Sequence, residues 1–373
     1  MKFIVSQSDL NKALALVSKA VPSKPTHPIL GNLLLRIDND ENLTLVGFDL
    51  SLGITLSIVV QVIEQGSITI PAGLLSQIIS KLNNEDELTF EVDNESNTVQ
   101  ITSTTGRYQL SGVESGEYPE LPVVNEENQF NIKVGTLIDA LKATIFSASG
   151  DETKQVLTGV HFCSKDNLLE IASTDGHRLS VFSQENEDEN NFALTIPSRA
   201  LKEVFTMVNG LDSEDEAIIK YDDNQLIFES QNQKLFSRIL CGTYPQYNQL
   251  IPLNFELSVV IDRKKLISSI ERVGILADQK NNIVKFDIDP DEQTVSLSVE
   301  TREVGSGKER LTAQIGGEKL IIAFNIKYLL EGLKAITTSE IELKLNQSNS
   351  PVVIYPVGGN KYQYLIMPVQ IRD

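Results

Sequence analysis

A period of about one third of the chain constrains this sequence more than any local motif does. "TIPAGLLSQIISKL" (69–82) returns as "TIPSRALKEVFTMV" (195–208), with Pro71 and Pro197 spaced 126 residues apart. A third version, "AFNIKYLLEGLKAI" (323–336), sets Asn325 in the proline position, 128 residues beyond Pro197. The Tyr-Pro segments "GEYPELPVV" (116–124) and "GTYPQYNQLIP" (242–252) keep the same interval, since Tyr118 and Tyr244 are also 126 apart. Self-similarity at a fixed period marks an array of like units and has to be settled before any local assignment. In 373 residues it predicts three units, each near the commonest domain size. The expected domains are 1–123, 127–253 and 254–373, with boundaries in "PVVNEENQ" (122–129) and "PLNFE" (252–256), each just past a Tyr-Pro segment.

Each unit is expected to open on an amphipathic helix. Leu10, Leu14, Val17 and Val21 form one apolar stripe, Leu137, Leu141 and Ile145 the second, and Leu266, Ile270 and Val273 the third. Lys12 and Lys19 point away from the first stripe, Lys142 lies off the second, and Lys265 and Arg272 flank the third. A second helix follows Pro71, Pro197 and Asn325, proline being suited to a helix's first turn. Alternating runs such as "NLTLVGFD" (42–49), "ELTFEVD" (87–93), "TVQITST" (98–104) and "RYQLSGV" (107–113) predict antiparallel strands. The fold class is therefore α+β: a threefold repeat of two helices packed on an antiparallel sheet.

The composition, 41% apolar and 22% charged, suits a globular protein with full cores. No apolar run reaches membrane-spanning length and "MKFIVSQSDLNKAL" turns polar at once, so no membrane contact and a cytoplasmic location are expected. The net charge of −19 argues against nucleic acid if read as a sum. Its distribution argues otherwise: acids crowd into "NNEDE" (83–87), "SQENEDENN" (183–191), "DSEDE" (212–216) and "DIDPDEQ" (287–293), whereas bases recur on the helices. Cys163 and Cys241 lack metal-ligand or CxxC spacing and are expected to be buried small hydrophobes without a disulfide.

Three stretches carry chemical residue types. "TDGHRLS" (174–180) holds Asp175, His177 and Ser180, but neighbours in sequence are not triad evidence, and an Asp-Gly turn between strands accounts for them. "GSGKER" (305–310) fails as a phosphate loop: Lys308 precedes Glu309 rather than Ser or Thr and residue 302 is not glycine, so a flexible hairpin loop is expected. His27, His161 and His177 form no cluster in sequence, which gives no basis for a zinc site or any other cofactor.

"KPTHPILGNLLL" (24–35), "TDGHRLS", "GTYPQYNQLIP" and "YLIMPVQIR" (364–372), in this order on a threefold repeat, resemble the bacterial sliding clamps, the β subunits of DNA polymerase III. The resemblance spans the whole chain. It implies a head-to-tail homodimeric ring that encircles duplex DNA, tethers the replicative polymerase, receives the clamp loader and other clamp-motif proteins, and has no catalytic activity. It implies helices lining the hole, with Lys12, Lys19, Lys24, Lys142, Arg199, Lys202, Lys265, Arg272 and Lys334 toward DNA. A peptide-binding cleft is implied at Leu157, Thr174, Gly176, His177, Arg178, Leu179, Pro245, Leu250, Asn325, Tyr328, Leu365, Met367 and Pro368. Tyr108, Ile275 and Leu276 are implied at the dimer contact. The chain departs from the family at Gln249 and Gln370, where arginines are familiar, which leaves the cleft's apolar floor but not its charged edge. The competing readings are an enzyme using His177 and Asp175, and a structural repeat scaffold that holds no DNA.

Overall fold

The computed structural model describes residues 1–373 apart from 39–40, 125–127, 187–190, 279–281, 302–303, 360 and 371–373. Parts of the acidic stretch 183–191, of the boundary 122–129 and of the C-terminal motif 364–372 thus lie outside the described residues.

Among the described residues six α-helices fall two to a repeat: α1 (Gln7–Val17) and α2 (Ala72–Ile79), α3 (Val134–Thr144) and α4 (Ser198–Val208), α5 (Arg263–Gly274) and α6 (Ile326–Ala335). Leu10, Leu14 and Val17, then Leu137 and Leu141, then Leu266, Ile270 and Val273 are buried, as the stripes predict; Val21 and Ile145 lie past the α-helical turns and are half-buried. Each repeat opens on a strand rather than a helix: Lys2–Ser6, Gln129–Lys133 and Leu257–Asp262 run directly into α1, α3 and α5. These strands are short, but their in-out burial alternates, and the residue ending two of them caps the helix. Ser6 accepts from the Asp9 N–H and Asp262 from the Lys265 N–H. At the second helix, Pro71 precedes α2 without a side-chain cap, whereas Asn325 accepts from the Tyr328 N–H to start α6.

The described strands form four antiparallel sheets divided between two compact units, Met1–Ile138 with Arg199–Ile239, and Asp139–Ser198 with Leu240–Asp373. Sheet continuity sets this division, because sheets run across repeat boundaries. In the first unit an eight-stranded sheet is joined by Gln233–Arg238 of repeat two pairing with Leu52–Val59 of repeat one. In the second, a nine-stranded sheet is joined by Lys361–Ile366 pairing with Arg178–Glu185. The remaining sheets have five and four strands and end on Arg107–Ser111 and Gly305–Thr312, whose outer edges have no partner strand among the described residues.

One strand of each repeat, Gly66–Pro71, Phe192–Pro197 and Leu320–Asn325, is an edge covered the same way. The chain leaving the repeat's last strand bridges to its middle: Val113 with Thr69, Leu240 N–H to Thr195 carbonyl, and Val369 N–H to Ala323 carbonyl. Edge coverage of this kind blocks further pairing. It also launches the Tyr-Pro segments of repeats one and two.

Two expectations are corrected. "GSGKER" is not a hairpin loop but most of the strand Gly305–Thr312, since its polar alternation suits an edge strand and its ladder to Thr294–Thr301 is unbroken. Both cysteines are free, as expected, but Cys163 is half-buried beside Glu170 and Cys241 is exposed, because the first sits on a sheet's outward face and the second in the Tyr-Pro loop.

Candidate peptide-binding cleft and cation-bearing helices

The turn 174–179 is built by its own side chains. Asp175 Oδ1 accepts from the His177 and Arg178 N–H groups at 2.9 and 3.1 Å, and Thr174 Oγ1 accepts from Gly176 N–H at 3.1 Å and donates to the Arg178 carbonyl at 2.6 Å. Gly176 takes φ +93°, which a side chain would strain. The Tyr-Pro segment clasps this turn, with the Thr174 N–H donating to the Tyr244 hydroxyl at 3.1 Å. Its earlier copy does the same at the first junction, where the Tyr118 hydroxyl donates to the Val46 carbonyl at 3.4 Å. Burial pushes both phenols well above their ordinary pKa, so they stay protonated.

Beneath the clasp lies an apolar cluster of Ala172, Leu179, Val181, Tyr244, Tyr247, Val353 and Leu365, against which Leu157 packs. Leu179 and Leu365 stand directly opposite each other across the joining strands. Met367 is held to the turn by its N–H on the His177 carbonyl at 2.9 Å, while its side chain stays 39% exposed. Tyr328, one turn into α6 from the Asn325 cap, stacks on the His177 ring at 6.1 Å and lies under the Arg178 guanidinium at 4.5 Å. Ten of the thirteen predicted residues are thereby joined through bonds or packing. Pro245 and Leu250 lie exposed on the clasp and Pro368 is half-buried beyond Met367.

Sequence reasoning missed Tyr247, Val353, Lys154 and Glu331. The period was the available signal for Tyr247, because the Tyr-Pro copy places it where Leu121 packs at the first junction. Glu331 on α6 meets Arg178 through an approach in the fold that no spacing announces.

His161 stacks on Tyr244 at 4.7 Å with the rings 5° apart, and its Nδ1 lies 3.0 Å from Thr195 Oγ1. Burial lowers its pKa from 6.5 to about 4. The unfolded chain therefore takes up this proton first, so stability is complete above pH 6.5 and falls as pH drops toward 4. We expect urea midpoints to decline between pH 7 and 5, and His161→Gln to flatten that decline.

All nine predicted DNA-facing cations are exposed. Three are held by carboxylates: Arg199 by Asp49 at 2.8 Å, Arg272 by Glu309 at 2.6 Å and Lys334 by Glu271 at 2.7 Å. No ion pair holds Lys12, Lys19, Lys24, Lys202 or Lys265 among the described residues. Of the predicted dimer residues, Tyr108 is half-exposed on the edge strand Arg107–Ser111, Ile275 is 78% exposed just past α5, and Leu276 lies against Gly307 of the edge strand Gly305–Thr312. Asp175 and Ser180 do not converge on His177 as a triad: Asp175 is spent on the turn and Arg178, and Ser180 faces Ser147 at 2.7 Å.

Family models for the N-terminal, central and C-terminal domains of the DNA polymerase III beta subunit match residues 1–122, 131–246 and 248–370. The chain belongs to the DNA polymerase III beta subunit family. It is 46% identical to the beta sliding clamps of Synechococcus elongatus over 378 residues and of Synechocystis over 390, covering all of every chain. The solved DNA polymerase sliding clamp of Bacillus subtilis superposes with a TM-score of 0.93 at 29% identity, again covering both chains fully. Three clamp domains of helices and antiparallel sheets, and the function of a DNA clamp in replication, follow from that membership. No helix among the described residues is long and apolar enough to cross a membrane.

Proposed function

We propose that two copies close head to tail into a ring around duplex DNA, with domains 1–123, 127–253 and 254–373, acting in the cytoplasm by tethering rather than catalysis. One observation carries the closure. The two sheet edges left open in one chain are the repeat equivalents of the strands that join the sheets elsewhere. Tyr108 and Leu235 lie 127 residues apart in matching ladders, as do Ser180 and Gly307. Leu235 pairs with Ile54 and Tyr364 with Ser180 at the internal junctions, so Tyr108 of one copy would pair with Gly307 of the other. Gly307 lies against Leu276, so this register would set Tyr108 of one copy near Leu276 and its chain neighbour Ile275 of the other. Pairing removes both exposed edges at once and closes a twofold assembly.

This register is testable by crosslinking. Paired Cα atoms on antiparallel strands stand about 4.5–5.5 Å apart, within disulfide reach. Tyr108→Cys with Gly307→Cys should therefore crosslink two chains into a covalent ring under mild oxidation. Tyr108→Cys with Ser306→Cys should not, and equal yields would overturn the register.

The cleft suits a linear peptide, with an apolar floor and a methionine able to adapt. We assign it to the polymerase, the clamp loader and other clamp-motif proteins. The helix cations suit a phosphate backbone read without sequence, the kind of contact that permits sliding. Changing Lys12, Lys19, Lys24 and Lys142 to Glu should reduce retention on DNA and flatten its salt dependence by about 0.9 log unit for every phosphate no longer neutralised. Each change should alter stability by only about 0.5 kcal/mol. An unchanged salt slope would remove these lysines from the DNA surface.

A further inference from the structure

We infer that the cleft of this chain discriminates against acidic peptides and prefers apolar ones that are uncharged or basic beside their anchors. The inference rests on the cleft being a peptide-docking site. Its carrying observation is that Arg178, the cation at the centre of the wall, is buried and bonded within the protein through each of its three guanidinium nitrogens. The side chain is 6% exposed. Its Nε donates to Asp175 Oδ2 at 3.1 Å, its Nη1 to Glu331 and its Nη2 to the Phe146 carbonyl at 2.6 Å. The guanidinium plane is covered by Tyr328 at 4.5 Å and Phe146 at 5.3 Å. A guanidinium bonded at every nitrogen and so little exposed positions the His177 and Tyr328 wall rather than facing a ligand.

The surrounding charges do not compensate. Asp175 and Glu331 share Arg178, and Glu170 accepts from the Tyr247 hydroxyl at 3.2 Å at the edge of the apolar cluster. Lys154, whose Nζ lies 3.4 Å from the Asp175 carbonyl, is the second cation bonded to the turn. Lys344, over the Phe255 and Tyr355 rings, faces its own carboxylate, Glu342, at 3.6 Å. Glutamines occupy 249 and 370, and Gln249 bonds Gln246 at 2.7 Å. Among the described residues, three carboxylates thus stand against two cations on the wall, in a chain of net charge −19. A peptide acid seated within a Debye length, about 8–10 Å, meets repulsion that salt relieves.

Fluorescence anisotropy on the full-length protein tests this with three labelled, end-capped peptides. They carry the same two leucines and phenylalanine and differ in one central residue: Asp, Asn or Lys. The Asp peptide should bind at least threefold more weakly than the Lys peptide at low salt, and the gap should narrow as salt rises. Gln249→Arg with Gln370→Arg should reverse the order while leaving the Asn peptide within about twofold. Equal affinities, or preference for the Asp peptide in the unsubstituted protein, overturn the inference while leaving the cleft intact. Failure of all three peptides to bind overturns the docking reading itself and the inference with it.

Discussion

Replacing Met367 and Leu179 together by alanine is expected to abolish capture of a labelled C-terminal peptide of the replicative polymerase while the mass of the proposed dimer is unchanged. A short peptide draws most of its affinity from a few anchors, so removing two walls of one pocket should cost more than about 1 kcal/mol for each. The two positions report differently. Leu179 is buried opposite Leu365, and its truncation also costs core stability, on the order of 2–5 kcal/mol. Met367 is 39% exposed, so Met367→Ala alone tests binding with little change in the fold. Weakened binding in Met367→Ala with an unchanged melting temperature supports the cleft. Unchanged affinity in both variants sinks it.

Ile275→Ala with Leu276→Ala should convert the proposed dimer to monomers. Ile275 is 78% exposed in one chain, unusual for isoleucine next to a helix end, and Leu276 backs the glycine that the repeat register sets opposite Tyr108. Truncating two large apolar side chains in a packed interface costs roughly 2–5 kcal/mol each. Phe236 and Leu365, which pack under the Tyr118 and Tyr244 clasps, correspond to Gln109 at the open edge. Light scattering should give a mass near 41.3 kDa for the variant. A value still twice that at low concentration would place the dimer contact elsewhere.

The repeat made most of the architecture legible. Landmarks 126 and 128 residues apart located α2, α4 and α6, and the apolar stripes located α1, α3 and α5. The opening strands were hidden because five or six residues running straight into a helix lack a boundary signal, and their capping residues read as helix starts. "GSGKER" looked like a loop because glycine and charge are poor local strand formers, and its eight-residue ladder decides instead. The cleft's apolar residues were reachable through family resemblance. Arg178's commitment to Glu331 was not, since the two lie 153 residues apart and meet only in the folded sheet and helix.

Retention on closed DNA tests encirclement most directly. The protein, placed on a nicked circular plasmid by a cognate clamp loader, should co-elute with the circle through gel filtration in moderate salt. It should then dissociate once a restriction enzyme linearises the plasmid. Equal retention on circle and linear DNA, or no retention on either after loading, would contradict a ring that holds DNA by topology.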